Sequence, residues 1–101
     1  MRADKVVVDN DILWLADKRR DDLLKHYKEV LKVGTDPGPE RRTKDNGVAA
    51  YCKANNCDLL TGDRTAYEYY FDIGVKSIQM ERYDWVKGRV DKKIYLIGIV
   101  E

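Results

Sequence analysis

Two stretches of this chain repeat one arrangement in different letters. Val6-Val7-Val8 runs into Asp9, and Asp58-Leu59-Leu60-Thr61 runs through Gly62 into Asp63. Short aliphatic runs of this kind, bounded by polar residues, have the length and character of buried strands. Each then delivers an acid to its carboxyl end. With 101 residues and 11.8 kDa the chain can close one hydrophobic core, so residues 1–101 are expected to form one domain. At 44% hydrophobic and 37% charged it is too apolar for disorder, and its longest apolar run, Ile94 to Val100, is too short for a bilayer.

Between and beyond the two strands the pattern alternates. From Asp11 the residues Ile12, Leu15 and Ala16 share a helical face. A charged break at Asp17 to Asp22 interrupts that face before Leu23, Leu24 and Tyr27, which predicts one broken helix or two short ones. Glu29 to Val33 reads as a second strand ending at Gly34. Gly34 to Lys44 contains both prolines and is the longest loop. Asp45 opens a helix with Val48, Tyr51 and Cys52 on one stripe, closed by Asn55-Asn56. After Asp63 comes a helix carrying Ala66, Tyr67, Tyr70 and Phe71, closed by Gly74. Val75 to Ile78 is expected as a further strand, and Tyr83 to Val86 with Ile94 to Val100 as strands of a C-terminal hairpin. The order β-α-β-loop-α-β-α-β predicts an α/β fold with a mainly parallel sheet flanked by helices. In such sheets ligands bind at the carboxyl ends of the strands, where Asp9 and Asp63 fall.

Asp9, Asp63, Asp45 at a helix start, and Asp11 beside Asp9 are therefore expected on one rim. Crowded carboxylates repel unless shared protons or a cation offset their charge, and hard oxygen ligands suit Mg²⁺ or Mn²⁺. Aspartate is also a favoured helix cap, and each of these four acids lies at or just before a helix start. Capping accounts for any one of them taken alone. Their coincidence at one end of a sheet is what points to a metal.

Val6-Val7-Val8-Asp9-Asn10-Asp11, Lys44-Asp45-Asn46-Gly47-Val48-Ala49-Ala50 and Leu59-Leu60-Thr61-Gly62-Asp63-Arg64 together resemble the PIN-like nuclease domains. Within that group the resemblance is to the VapC-type toxins and to a shorter, Mut7-C-like branch. It covers roughly residues 5 to 80. The resemblance implies that Asp9, Asp45 and Asp63 are catalytic carboxylates holding Mg²⁺ or Mn²⁺ for hydrolysis of RNA by an activated water; Asp11, from its place beside Asp9 and not from the resemblance, is a further candidate ligand. It implies RNA as substrate, and as partners an antitoxin protein and a second copy of the chain. Longer members carry an additional glutamate and often another acid after the Thr-x-Asp element; here Arg64-Thr65-Ala66 stands in that place.

The 19 Lys and Arg against 18 Asp and Glu leave a net charge of +1, so attraction to nucleic acid must be local. Arg41, Arg42 and Lys44, on the loop before Asp45, and Arg64, beside Asp63, are the candidate phosphate contacts. Basic runs at 19–20 and 87–93 have the ordinary reading of solvated surface. The aromatic residues 67–71 are expected mainly in the core, with Tyr69 the one most exposed. His26 stands alone, and Cys52 and Cys57 lack the companions of a zinc site, so buried, unreacted thiols are expected. No signal peptide or membrane span is evident, and a reducing cytoplasm is the expected location. Two other functions fit less of the sequence. One is a haloacid-dehalogenase-like phosphatase using Asp9-Asn10-Asp11, which leaves the Asp45 helix unexplained; the other is a PIN-like module that binds or regulates without catalysis.

Overall fold

A computed structural model describes residues 3–35, 38, 45–83 and 94–100, and the side chain of Asp45 lies outside that description. The elements are β1 (Lys5–Val8), a single 3-10 turn (Asn10–Ile12), α1 (Leu13–Lys18), α2 (Arg20–Leu24), β2 (Glu29–Lys32), α3 (Asp45–Asn55), β3 (Cys57–Thr61), α4 (Tyr67–Asp72), β4 (Ile78–Arg82) and β5 (Tyr95–Ile99). The broken helix is two short ones, parted at Arg19 within the charged run.

The five strands form one sheet in the order β2-β1-β3-β5-β4. It is a mixed sheet, which corrects the mainly parallel expectation. β1 pairs in parallel with β2 and β3, whereas β5 is antiparallel to both β3 and β4. Four strands thus point one way, and β5 alone is reversed. The helical crossover through α4 does return the chain parallel to β3, but β5 inserts between β3 and β4 and takes the pairing positions on each.

Alternation along the strands makes two cores, one on each face, because successive side chains point to opposite sides of a sheet. Val7, Leu31, Leu59 and Ile97 pack with Val48, Ala49 and Cys52 of α3 and with Ala66 and Tyr70 at α4. Val6, Val8, Val30, Leu60 and Leu96 pack with Ile12, Leu15 and Ala16, with Leu23 of α2, and with Tyr27. Opposite faces are what the crossovers require. The chain steps from β1 outward to β2 and then back past β1 to β3, and two crossovers of one hand in opposite directions put their helices on opposite sides.

Several boundaries differ from expectation. The strand expected at Val75–Ile78 begins only at Ile78, and Val75 is buried as the closing residue of α4. There Gly74 (φ 89°) turns left-handed, its N–H donating to Phe71 O (3.1 Å) while Val75 N–H donates to Tyr70 O (3.0 Å). This paired arrangement ends a helix by satisfying its last carbonyls, and it consumes the residues that would have started a strand. β5 pairs with β4, and Tyr83, outside any strand, extends that pairing by donating its N–H to Ile94 O (2.7 Å); residues 84–86 of the expected strand lie outside the described residues. Phe71 (47% exposed), not Tyr69, is the open aromatic of α4. At about 100° per residue, Tyr69 falls about 60° from the Ala66 direction and Phe71 about 140°.

Gly74 has open space where a Cβ would stand, so only its backbone conformation constrains it. Gly74→Ala is expected to lower stability by about 1–2 kcal/mol, the cost of a left-handed L-residue, in urea denaturation with an unchanged m-value.

Candidate active site

Parallel pairing of β1 with β3 sets Val8 opposite Leu60, and the pairing is continued by Asp9 N–H donating to Leu60 O at 2.8 Å. The two chains leave the sheet side by side. One goes to β2, the other to α4 and β4, so this is the point where the sheet's winding reverses and where open α/β sheets form their ligand crevice.

Asp9 and Asp63 meet there through one hydroxyl. Thr61 is fully buried, and its Oγ1–H donates to Asp9 Oδ2 (2.7 Å) while the same oxygen accepts Asp63 N–H (3.1 Å). The single hydroxyl proton is thereby committed to Asp9, and the acceptor lone pair holds the backbone of Asp63. Asp9 Oδ1 accepts Asn10 N–H (2.7 Å) at the start of the 3-10 turn. Asp63 Oδ1 accepts both Thr65 N–H (2.9 Å) and Thr65 Oγ1–H (2.8 Å), a turn that leads into α4. Its other oxygen, Oδ2, accepts no hydrogen bond among the described residues. Asp11, exposed, turns toward the same rim and accepts Gly62 N–H with Oδ1 (3.3 Å) and Oδ2 (3.1 Å).

Asp9, Asp11 and Asp63 thus reach one end of the sheet, each engaged with backbone or hydroxyl donors in the manner of caps. Asp45 opens α3 as expected. Among the described residues no three His, Cys, Asp or Glu side chains gather as a metal-holding group. The donor chemistry still fits a hard divalent cation, since carboxylate oxygens carry more lone pairs than these hydrogen bonds consume and Asp63 Oδ2 is open. Arg64 is exposed beside Asp63. Arg41, Arg42 and Lys44 lie outside the described residues.

Thr61 and Gly62 belong to the site as much as the acids do. Their signal was present in the sequence: a hydroxyl ending an aliphatic strand, then a glycine before an acid. A Cβ built on Gly62 would stand 2.5 Å from Asp11 Oδ2, so a side chain there would displace the Asp11 carboxylate.

His26 is exposed. Cys52 and Cys57 are free thiols buried in the same core. Burial pushes the Cys57 thiol up to about 11 and raises Cys52 as well, so neither is a nucleophile at neutral pH. At the other end of β3, buried Asp58 accepts Tyr27 Oη–H (2.7 Å) and Ala3 N–H (3.3 Å).

The chain matches no protein-family model, no curated protein and no solved structure.

Thr61→Val keeps the side-chain shape but removes the donor to Asp9 and the acceptor of Asp63 N–H. It is expected to cost about 1.5–3 kcal/mol in urea denaturation, with Thr61→Ser closer to the parent protein. The raised thiols make stability fall at high pH. The folded state keeps its protons above the ordinary thiol value of 9.0, so stability is complete below that pH and declines toward about 11 as unfolded thiols ionise. Melting curves of the parent and of Cys57→Ala between those pH values are expected to differ in slope, the variant declining less.

Proposed function

We propose that this chain is a small metal-dependent ribonuclease of PIN-like type, with Asp9, Asp45 and Asp63 as the carboxylates that hold Mg²⁺ or Mn²⁺. The observation that carries the reading is the Thr61 bridge, which ties Asp9 to the backbone of Asp63 at the carboxyl ends of two adjacent parallel strands. The helix opened by Asp45 supports it, since α3 packs directly on β3 and α4.

When bound, such a cation lowers the pKa of a water and offsets the charge that builds on a phosphodiester during hydrolysis. The chain's own residues do the rest. Thr61 holds Asp9 Oδ2 by donating its proton, which fixes that carboxylate's rotation. Thr65 holds Asp63 Oδ1 and leaves Oδ2 as the oxygen open to accept a proton from the attacking water. The water oxygen forms the new bond to phosphorus, the bond from phosphorus to the leaving ribose oxygen breaks, and that oxygen takes up a proton. Arg64, with Arg41, Arg42 and Lys44 before α3, would contact phosphates flanking the cleaved bond. An antitoxin protein that covers these groups is the partner this reading implies, and a second copy of the chain is the other.

The competing reading is a binding or regulatory module. It is favoured by the engagement of Asp9, Asp11 and Asp63 with the protein's own donors.

The deciding experiment incubates single-stranded RNA with the protein in Mg²⁺ or Mn²⁺. Cleavage is expected to disappear with chelator and to fall by at least about 100-fold in Asp63→Asn, the scale of losing a positioned acid-base and ligand group. Cleavage unaffected by both treatments, or stable RNA binding with no cleavage and no metal-dependent rise in melting temperature, would defeat the nuclease reading.

A further inference from the structure

We infer that Asp11 is a positioning residue of this site and not one of its metal ligands. Its carboxylate acts as an acceptor that fixes the turn from which Asp63 projects. The inference rests on the nuclease reading only for its effect on cleavage; the contact itself is independent of it.

After Thr61 the chain leaves β3 through two residues whose amides both need acceptors. Asp63 N–H finds the Thr61 hydroxyl at 3.1 Å, and Gly62 N–H finds Asp11, at 3.3 Å from Oδ1 and 3.1 Å from Oδ2. Both oxygens of Asp11 are spread around one donor. Asp9, two residues earlier in the same turn, reaches the other anchor through Thr61. The segment 9–11 therefore grips 61–63 twice, once at the Thr61 hydroxyl and once at the Gly62 amide, across a sequence separation of 51 to 52 residues.

Sterics corroborate the grip. The backbone of Gly62 approaches Asp11 so closely that a Cβ would lie 2.5 Å from Oδ2 and 3.5 Å from Ile12 Cγ2. Ile12 is wholly buried, so the 3-10 turn that carries Asp11 is anchored in the core, and a side chain at 62 would displace the Asp11 carboxylate rather than the turn. A carboxylate aimed at a backbone amide serves through its acceptor oxygen. A ligand serves through its charge as well. An amide side chain separates the two roles, because asparagine keeps an acceptor oxygen and loses the charge.

Hydrogen exchange at the Gly62 amide tests this at one fixed pH, in the parent, Asp11→Asn, Asp11→Ala and Gly62→Ala, alongside RNA cleavage and the Mn²⁺-dependent rise in melting temperature. Asp11→Ala is expected to lose about tenfold in Gly62 protection, the worth of one charge-assisted hydrogen bond, and about tenfold in kcat with little change in KM. Asp11→Asn is expected to stay within about threefold of the parent in both and to keep the Mn²⁺ response. Gly62→Ala is expected to resemble Asp11→Ala in cleavage while melting as a folded protein. The inference is overturned if Asp11→Asn loses the Mn²⁺ response and cleavage as fully as Asp63→Asn, which would make Asp11 a ligand. It is equally overturned if Gly62 protection is the same in Asp11→Ala as in the parent. A parent protein with no cleavage and no Mn²⁺ response, but with Gly62 protection that depends on Asp11, would defeat the nuclease reading while supporting the contact.

Discussion

Parallel pairing between β1 and β3 is the constraint on which the site depends. No covalent link shorter than the whole β1-to-β3 excursion joins these strands, so Asp9 and Asp63 come together only because Lys5 to Val8 align with Cys57 to Leu60. A slip of one residue would turn Val6 and Val8 to the opposite face and dismantle both cores. The hydrophobic register thereby fixes the polar one. Burial of Leu60 and Val8 brings Thr61 level with Asp9, at the edge where the strands run out into solvent.

At that edge like charges must coexist, and the structure meets the problem with donors. Asp9 receives a backbone amide and a hydroxyl, Asp63 a backbone amide and a hydroxyl, and Asp11 a backbone amide. These contacts hold each carboxylate in place at the rim. Capping and ligation are compatible where one oxygen stays open, as at Asp63, whose Oδ1 takes both Thr65 donors while Oδ2 keeps its lone pairs.

The reversed strand β5 gives the sheet a different use at each end. Around β1 and β3 parallel neighbours create the crevice. Toward β4 the sheet becomes an antiparallel hairpin whose edge strand is largely exposed, with Met80 and the charged Glu81 and Arg82 along it. Charged side chains on an edge discourage pairing with another chain. Asp58, held by Tyr27 near the start of β3, lines a shallow groove with Gln79, Glu81, Leu96 and Gly98, at the opposite end of β3 from Thr61.

Local pattern was enough for most of the elements and for the acids. Three valines before Asp9, the Leu59-Leu60-Thr61 run, the stripe Val48-Cys52 and the charged break at Asp17 to Asp22 each mark an element by residues close together in the chain. Such signals carry no information about which strand lies next to which. The place of β5 between β3 and β4 was hidden for that reason, as was the start of β4 at Ile78, since the close of α4 at Gly74 and Val75 takes residues that read equally well as strand. The sequence by itself determined that aspartates would end two buried strands and open a helix, because chain direction and hydrophobic length follow from adjacent residues. Only the tertiary structure decided what those aspartates touch. The contacts Thr61 to Asp9 and Gly62 to Asp11 join residues more than fifty apart, and their partners are chosen by strand register and close backbone approach, which exist only once the sheet has formed.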